Sequence, residues 1–298
     1  VTKRSPSPHG KTSEAKRQGQ GRERGQLQLV STPIGNMGDI TLRALDALRA
    51  ADVIACEDTR HTQKLLQHHG IKKPLVAYHD HNEDLASKRL LAMVENGDHV
   101  ALVSDAGMPL VADPGYRLVQ AAIASGVPIT MLPGANAALM ALALSGLPTD
   151  RFTFIGFLPA KAAARQQQLA QLKSIPITTL FYESPSRLVD TLADMQKLWG
   201  DRPAAVAREL TKTFEEVRRG PLSELCAHYT SAPPKGEIVI VVHGAVAAAA
   251  SDGDIDTLLR TALKTHGSKQ AAQLIAAETG QTVRAVYARA LELKRGKE

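Results

Sequence analysis

Cysteine is scarce in this chain. The 298 residues hold only Cys56 and Cys226, far apart and outside any CxxC pair, which argues against a disulfide framework and a thiolate zinc site. Both read as buried apolar residues. Aromatic side chains are few, at 4%. No apolar run approaches the ~20 residues that a membrane-spanning helix needs. The amino-terminal stretch lacks the apolar segment of a secretory signal, so the expectation is a cytoplasmic protein. Nucleotide fingerprints are missing too. No GxGxxG follows the first strand pattern, against the ordinary Rossmann dinucleotide and methyltransferase signatures, and no GxxxxGK[ST] occurs, against a P-loop.

What is present suffices for two domains with real cores, since 44% of the residues are hydrophobic. The net charge of +6 is concentrated at the ends. Residues 1–25 carry seven Lys or Arg against Glu14 and Glu23, and residues 254–298 are also basic. A near-neutral body with basic extremities suits contact with a polyanion; solubility alone is the competing reading.

Residues 1–25 mix Ser, Pro, Gly, Gln, Lys and Arg with almost nothing large and apolar, and are expected to be disordered. From Leu27 to Leu147, apolar runs at 27–30, 53–56, 75–78, 100–103 and 129–132 alternate with helical spacings such as Leu42, Leu45 and Leu48. That alternation predicts a mostly parallel sheet covered by helices on both faces. A break at Gly146-Leu147-Pro148 places a domain boundary there. Strand patterns then recur near 152–157, 178–182, 204–207, 215–218 and 238–242. The short run at 214–219 has no helix before it, so this second sheet is expected to be mixed. Residues 245–254 read as a linker, followed by helical patterns at 255–264, 268–278 and 282–294, with Ala272, Ile275, Val283, Val286 and Leu291 as one small core. The expected organisation is a basic tail at 1–25, an N-terminal α/β domain at 26–147, a C-terminal α/β domain at 148–245, a linker at 246–254 and a helical module at 255–298. Two readings of the module stand. It is either a helix-turn-helix showing Arg284, Arg289 and Lys294 to a nucleic acid, or a plain helical cap.

Chemistry is expected where strands end in Gly and Pro. The segment SDAGMPLVADPG (104–115) follows the fourth run, STPIGN (31–36) the first and LPGANA (132–137) the fifth. In a parallel sheet all three loops emerge on one edge, so one pocket can collect them. Glu57-Asp58-Thr59-Arg60 follows the second run. It reads either as a helix cap, with Asp58 or Thr59 as N-cap, or as Glu57 and Arg60 on the pocket rim. Tyr78-His79-Asp80-His81-Asn82-Glu83 lacks the further ligands a metal would need, and no metal is expected. In the second half, Lys161 and Arg165 stand four apart at a helix start, predicting one basic face that either meets solvent or phosphate. FYESPSR (181–187) and ARELTK (207–212) again end strands in polar loops.

Taken together, STPIGN, EDTR, SDAGMPLVADPG, LPGANA, GFLPAK with Arg165, FYESPSR, ARELTK and GEIVIVV resemble the tetrapyrrole methylase superfamily, most closely its branch that modifies small-subunit ribosomal RNA. The resemblance spans residues 27–242 and the terminal helices. Ser186 departs from it, since a His is expected in the FYESPHR-like pattern. The resemblance implies methyl transfer from S-adenosylmethionine to the 2′-hydroxyl of a cytidine in the decoding region of 16S ribosomal RNA. It also implies a homodimer, with the small ribosomal subunit as partner and the donor in a cleft between domains. Carried over residue by residue, it implies donor contacts from Pro33, Asp105, Ala106, Gly107, Met108, Pro133, Gly134, Ala135 and Asn136, with Tyr182, Ala207 and Ile238 around adenine and ribose. RNA contacts would come from Arg60, Lys161, Arg165, Arg187, Arg284 and Arg289. Glu57, Lys161 and Glu183 are candidate bases for the acceptor hydroxyl. A sulfonium activates its own methyl group, so alignment and exclusion of water carry much of the catalysis. The alternatives are methylation of a corrin or porphyrin precursor and a noncatalytic RNA-binding assembly factor.

Overall fold

The computed structural model describes residues 25–245, 252–279 and 281–295. The expected basic tail falls, apart from Gly25, outside the described residues, as do residues 246–251 of the expected linker. The described residues form two compact units, one comprising those up to residue 33 and from 37 to 135, the other residues 34–36 and those from 136 onward.

The first unit alternates β1 (Gln26–Val30), α1 (Leu42–Ala50), β2 (Val53–Cys56), α2 (Thr59–His68), β3 (Leu75–Ala77), α3 (Glu83–Glu95), β4 (His99–Val103), α4 (Tyr116–Ala124) and β5 (Ile129–Leu132). Its five strands are ordered β3-β2-β4-β1-β5, and every pair is parallel. All four residues of β2 are buried, as expected of a strand covered on both faces. One face packs Ala44, Leu45 and Leu48 of α1 and Leu66 of α2 on Ile54 and Val103. The other packs Leu90 of α3 and Leu118 of α4 on Val53 and Leu102. Side chains start these helices. Thr41 accepts from the Ala44 amide at 3.1 Å and Asp58 from the Arg60 amide at 2.8 Å, so the capping reading of Asp58 is the one observed.

Strand order fixes where a ligand belongs. β1 and β4 are neighbours, yet the chain leaves β1 toward β2 over one face and leaves β4 toward β5 over the other. Their carboxyl ends therefore diverge and open a crevice, the switch point at which open α/β sheets bind ligands. The loops at that point are 31–36 and 104–115.

The second unit holds α5 (Ala137–Ser145), β6 (Phe152–Phe157), α6 (Ala162–Leu172), β7 (Thr178–Glu183), α7 (Leu188–Trp199), β8 (Pro203–Arg208), β9 (Glu216–Pro221), α8 (Leu222–Ser231) and β10 (Ile238–Val242). The sheet order is β6-β7-β10-β8-β9, with β6 and β7 parallel and all other pairs antiparallel, so the sheet is mixed as expected. The boundary lies at residues 135/136 rather than 147/148. Helix α5 carries Ala138, Ala141 and Leu142 onto Leu180, Ala205 and Val241 of this second sheet, which decides its membership.

The terminal module consists of α9 (Asp252–Ala262), α10 (Ser268–Thr279) and α11 (Val283–Arg295) around Leu259, Ala272, Ile275, Val286 and Ala290. Its first helix begins three residues before the expected start. Val283 and Leu291 lie on the outer side of α11 and not in the core. Among the described residues no helix is long and apolar enough to cross a membrane.

Candidate active site

The crevice loops of the first unit are laced together by their own backbone. Thr32 and Gly107 exchange two hydrogen bonds, Thr32 N to Gly107 O at 2.8 Å and Gly107 N to Thr32 O at 3.1 Å. The Thr32 hydroxyl donates to the Ser104 carbonyl at 3.2 Å. Asp105 accepts the Asp58 amide at 3.0 Å, which ties the loop after β4 to the one after β2. The Ser31 amide donates to the Leu132 carbonyl at 3.3 Å, and Gly134 lies so close that a Cβ there would stand 2.6 Å from the Cβ of Ser31. Pro33, the stretch from Asp105 to Met108, and Pro133 to Ala135 therefore all belong to one unit and one strand edge. Asn136 is grouped with the second unit, where its side chain caps α5 by accepting from the Leu139 amide at 3.0 Å.

Two non-glycine residues of the 104–115 loop, Leu110 and Ala112, hold left-handed backbone with φ of 70° and 66°. Such strain persists only where surrounding structure enforces it, and it concentrates at ligand sites. At the other end of the loop, Glu83 accepts from the Tyr78 hydroxyl at 3.0 Å and from the Gly115 amide at 3.2 Å, anchoring the start of α4.

Acidic groups set the electrostatics of this edge. Burial, then the Glu57 charge, pushes the Asp113 carboxyl up to about 6. The Glu57 carboxyl is also raised, by burial first and then by Asp105 and Asp80. These carboxylates disfavour one another's ionisation, so a cationic ligand would relieve them. The Ser31 hydroxyl is 2% exposed and without a hydrogen-bond partner among the described residues. Such an orphan fits a polar ligand group. A donor bearing a sulfonium and an α-ammonium matches both features. Arg60, by contrast, stays exposed and pairs with Asp58 at 2.9 Å. Among the described residues no group of three His, Cys, Asp or Glu side chains is placed to hold a metal.

In the second unit the sheet edge is formed by the ends of β6, β7 and β8 and the start of β10, because Ile238 pairs with both Glu183 and Arg208. Several expected roles change here. Arg165 does not share a face with Lys161. It is 4% exposed and bonds Asp194 at 2.7 Å, so it is core and not an RNA contact. Lys161 has φ −74° and ψ 126°, outside the helix, so helical spacing does not relate the two.

Glu183 is 2% exposed and already accepts from Ser184 N at 2.8 Å and the Thr191 hydroxyl at 2.7 Å, with Arg187 at 3.3 Å. Its side chain is 0% exposed, so it braces this segment from within and presents no oxygen at the surface to an acceptor hydroxyl. Arg187 donates to the carbonyls of Leu158 at 2.6 Å and Pro159 at 3.2 Å, so it braces the loop that carries Lys161 instead of meeting phosphate. Tyr182 and Ala207 pair across Val239 and share one face of the sheet. Ile238 points into the core on the opposite face, so its side chain cannot complete a wall with them. Ser186, the departure in FYESPSR, is exposed with its hydroxyl 3.4 Å from that of Ser184.

The 207–212 segment escaped sequence reasoning as a cradle. Lys212 bonds Glu209 at 2.8 Å and also Glu237, while Asn36 N donates to the Thr211 hydroxyl at 3.2 Å. Residues 34–36 therefore rest on ARELTK, with Gly35 allowing the approach, since a Cβ there would meet Lys212 Cγ at 2.5 Å. In the module, Arg289 grips Asp256 at 2.6 and 2.7 Å, clamping α11 on α9. That leaves Arg284 and Lys294 as the exposed cations of the expected RNA face.

Known proteins resemble this chain over most of its length. A family model described as tetrapyrrole (corrin/porphyrin) methylases matches residues 26–226, and one described as the RsmI C-terminal HTH domain matches residues 249–294. The chain is 51% identical over 270 residues to ribosomal RNA small subunit methyltransferase I of Mesorhizobium japonicum, covering 90% of this chain and 92% of that one. It is 47% identical over 273 residues to the protein of the same name from Escherichia coli O157:H7, covering 90% and 95%. Among solved structures, uroporphyrin-III C-methyltransferase from Thermus thermophilus complexed with S-adenosyl homocysteine aligns over 73% of this chain and 97% of that one. The TM-score is 0.52 and the identity 21%, a likeness of fold.

Proposed function

We infer the function from one premise: the chain belongs to the tetrapyrrole (corrin/porphyrin) methylase family. On that premise it is an S-adenosylmethionine-dependent methyltransferase acting on the 2′-hydroxyl of a cytidine in 16S ribosomal RNA, at the decoding region of the small subunit. The observation that carries the RNA substrate is the pairing of a methylase body with the terminal helical module, shared over nine-tenths of the chain with relatives named for that activity. A small macrocycle requires no such module, which weighs against a corrin or porphyrin substrate.

When bound, S-adenosylmethionine supplies a methyl group already activated by its sulfonium. The chain has to bind, orient and keep water out. The loops at 31–33, 104–108 and 133–135 offer backbone donors and acceptors for the amino acid end, and the carboxylates of Glu57, Asp105 and Asp113 favour its positive charges. Asp105 acts by holding the two loops together. Glu57 is the carboxylate assigned as candidate base, on the rim beside Asp105, with its pKa raised by partial burial and then by the Asp105 charge. Lys161, on its braced loop, supplies a cation to the RNA. A homodimer fits the exposed Leu85, Tyr116 and Ile123 on α3 and α4, which a second copy would cover. A ribosomal substrate implies a cytoplasmic location.

The test is incubation with labelled donor and small subunits from cells lacking the protein, followed by mass mapping of the RNA. One methylated cytidine ribose is expected. Label entering only a precorrin would establish the macrocycle reading, and calorimetry detecting neither S-adenosylmethionine nor its demethylated product would remove the enzyme altogether.

A further inference from the structure

Aromatic residues are rare in this chain, yet three of them stand in a row across the paired strands β6 and β7. Phe154 meets Tyr182 edge-on with ring centroids 4.8 Å apart, and Tyr182 meets Phe157 at 5.6 Å. Simple alternation along a strand would send Phe154 and Phe157 to opposite faces. A bulge between Phe154 and Gly156 prevents this by inserting one residue, so that Phe157 pairs with Tyr182 on the Phe154 side. Gly156 makes the bulge possible with φ of 76°, and a Cβ there would touch nothing within 4 Å, so glycine is required for conformation and not for space.

The consequence is costly by ordinary folding criteria. The re-aimed Phe157 is 56% exposed. Its far side is supported by Tyr182, and the chain beyond it is pinned by Arg187 through the Leu158 and Pro159 carbonyls. Four residues on, Lys161 is exposed and pairs with no carboxylate among the described residues. This edge thus combines a rigid aromatic face, a cation four residues along that no carboxylate neutralises among the described residues, and polar Ser184 and Ser186 on the next loop. These features describe the stacking platforms on which proteins hold unpaired bases.

We propose that Phe157 is a stacking platform for an unpaired base of the RNA substrate, with Lys161 on the adjoining phosphate. This rests on the RNA reading given above and adds a specific contact to it.

The test compares wild type, Phe157→Leu and Phe157→Tyr in binding to a labelled single-stranded oligocytidylate and to purified unmethylated small subunits, with donor affinity measured by calorimetry alongside. Phe157→Leu keeps apolar bulk against Tyr182 but removes the π face, and is expected to weaken RNA binding roughly 5- to 100-fold. Phe157→Tyr should bind like wild type, and neither change should move donor affinity. RNA binding by Phe157→Leu within twofold of wild type would overturn the proposal. So would equal losses in both variants, or a parallel loss of donor affinity. The readout is binding, so it remains decisive even if wild type transfers no methyl group: that result would sink the enzymatic reading while a Phe157-dependent affinity would still uphold the stack.

Discussion

Replacing Arg165 separates a core role from an RNA role. Its guanidinium Nε lies 2.7 Å from Asp194, with side chains only 5% and 12% exposed, and Gln166 donates to the other carboxylate oxygen at 2.7 Å. Arg165→Ala leaves the Asp194 charge buried with a neutral partner alone, a change that costs about 3–5 kcal/mol in comparable buried pairs. With a urea dependence of about 1–3 kcal/mol/M, the unfolding midpoint should fall by roughly 1–5 M. The assay is built into the protein. Trp199 is the sole tryptophan, and its indole donates to the Leu169 carbonyl at 2.7 Å, on the same helix as Arg165. Its fluorescence therefore reports the docking of α6 on α7 without interference from the first unit. The double change Arg165→Met with Asp194→Leu should recover most of the loss, since an apolar pair of similar volume replaces both charges. RNA affinity of the folded protein should be unchanged. An unaltered tryptophan transition combined with weakened RNA binding by Arg165→Ala would refute the core assignment.

Other perturbations probe the crevice and the module. Gly134→Ala places a methyl against Ser31 and should destabilise the first unit by about 1–3 kcal/mol, with weaker donor binding by calorimetry; unchanged affinity would detach this loop from the donor. Asp113 carries a raised folded-state pKa of about 6 against the ordinary 3.8, so its contribution to stability is complete below the unfolded value and lost as pH rises through the folded one. Asp113→Asn should accordingly raise the urea midpoint above pH 6, the gain fading as pH falls toward about 4; a pH-independent difference would contradict this. Arg284→Ala and Lys294→Ala should each reduce the salt dependence of RNA binding by roughly one counterion. Arg289→Ala should instead loosen the module, seen as faster amide exchange in α9 and α11.

The strands were legible because most are continuous apolar runs bounded by Gly and Pro, and the switch-point loops because those same residues end them. Burial on both faces hid the rest. In IVIVV every side chain is buried, so nothing in the sequence says that Ile238 faces away from Tyr182 and Ala207. Four-residue spacing places two side chains on one face only inside a helix, and Lys161 stands just outside the one that carries Arg165. The domain boundary was masked by the Gly-Leu-Pro break after α5. The better signal was in α5 itself, whose AALMALALS is apolar all round and marks a helix with a sheet to cover. Glu183 and Arg187 looked reactive as strand-end polar residues, and only their mutual geometry shows them bracing the loop that presents Phe157 and Lys161.

The central place of β10 makes the order of synthesis matter. The first sheet has all its strands once Leu132 has been made, but β7 and β8 have no partner between them until Val242. Once β8 ends at Arg208, synthesis at ~5–20 residues per second leaves the nascent second unit waiting roughly 2 to 7 seconds for β10 with two ladder edges unfilled. Any chain ending short of β10 would keep those edges open permanently and invite pairing with its neighbours, so truncations in that interval should be recovered as aggregates around an intact first unit.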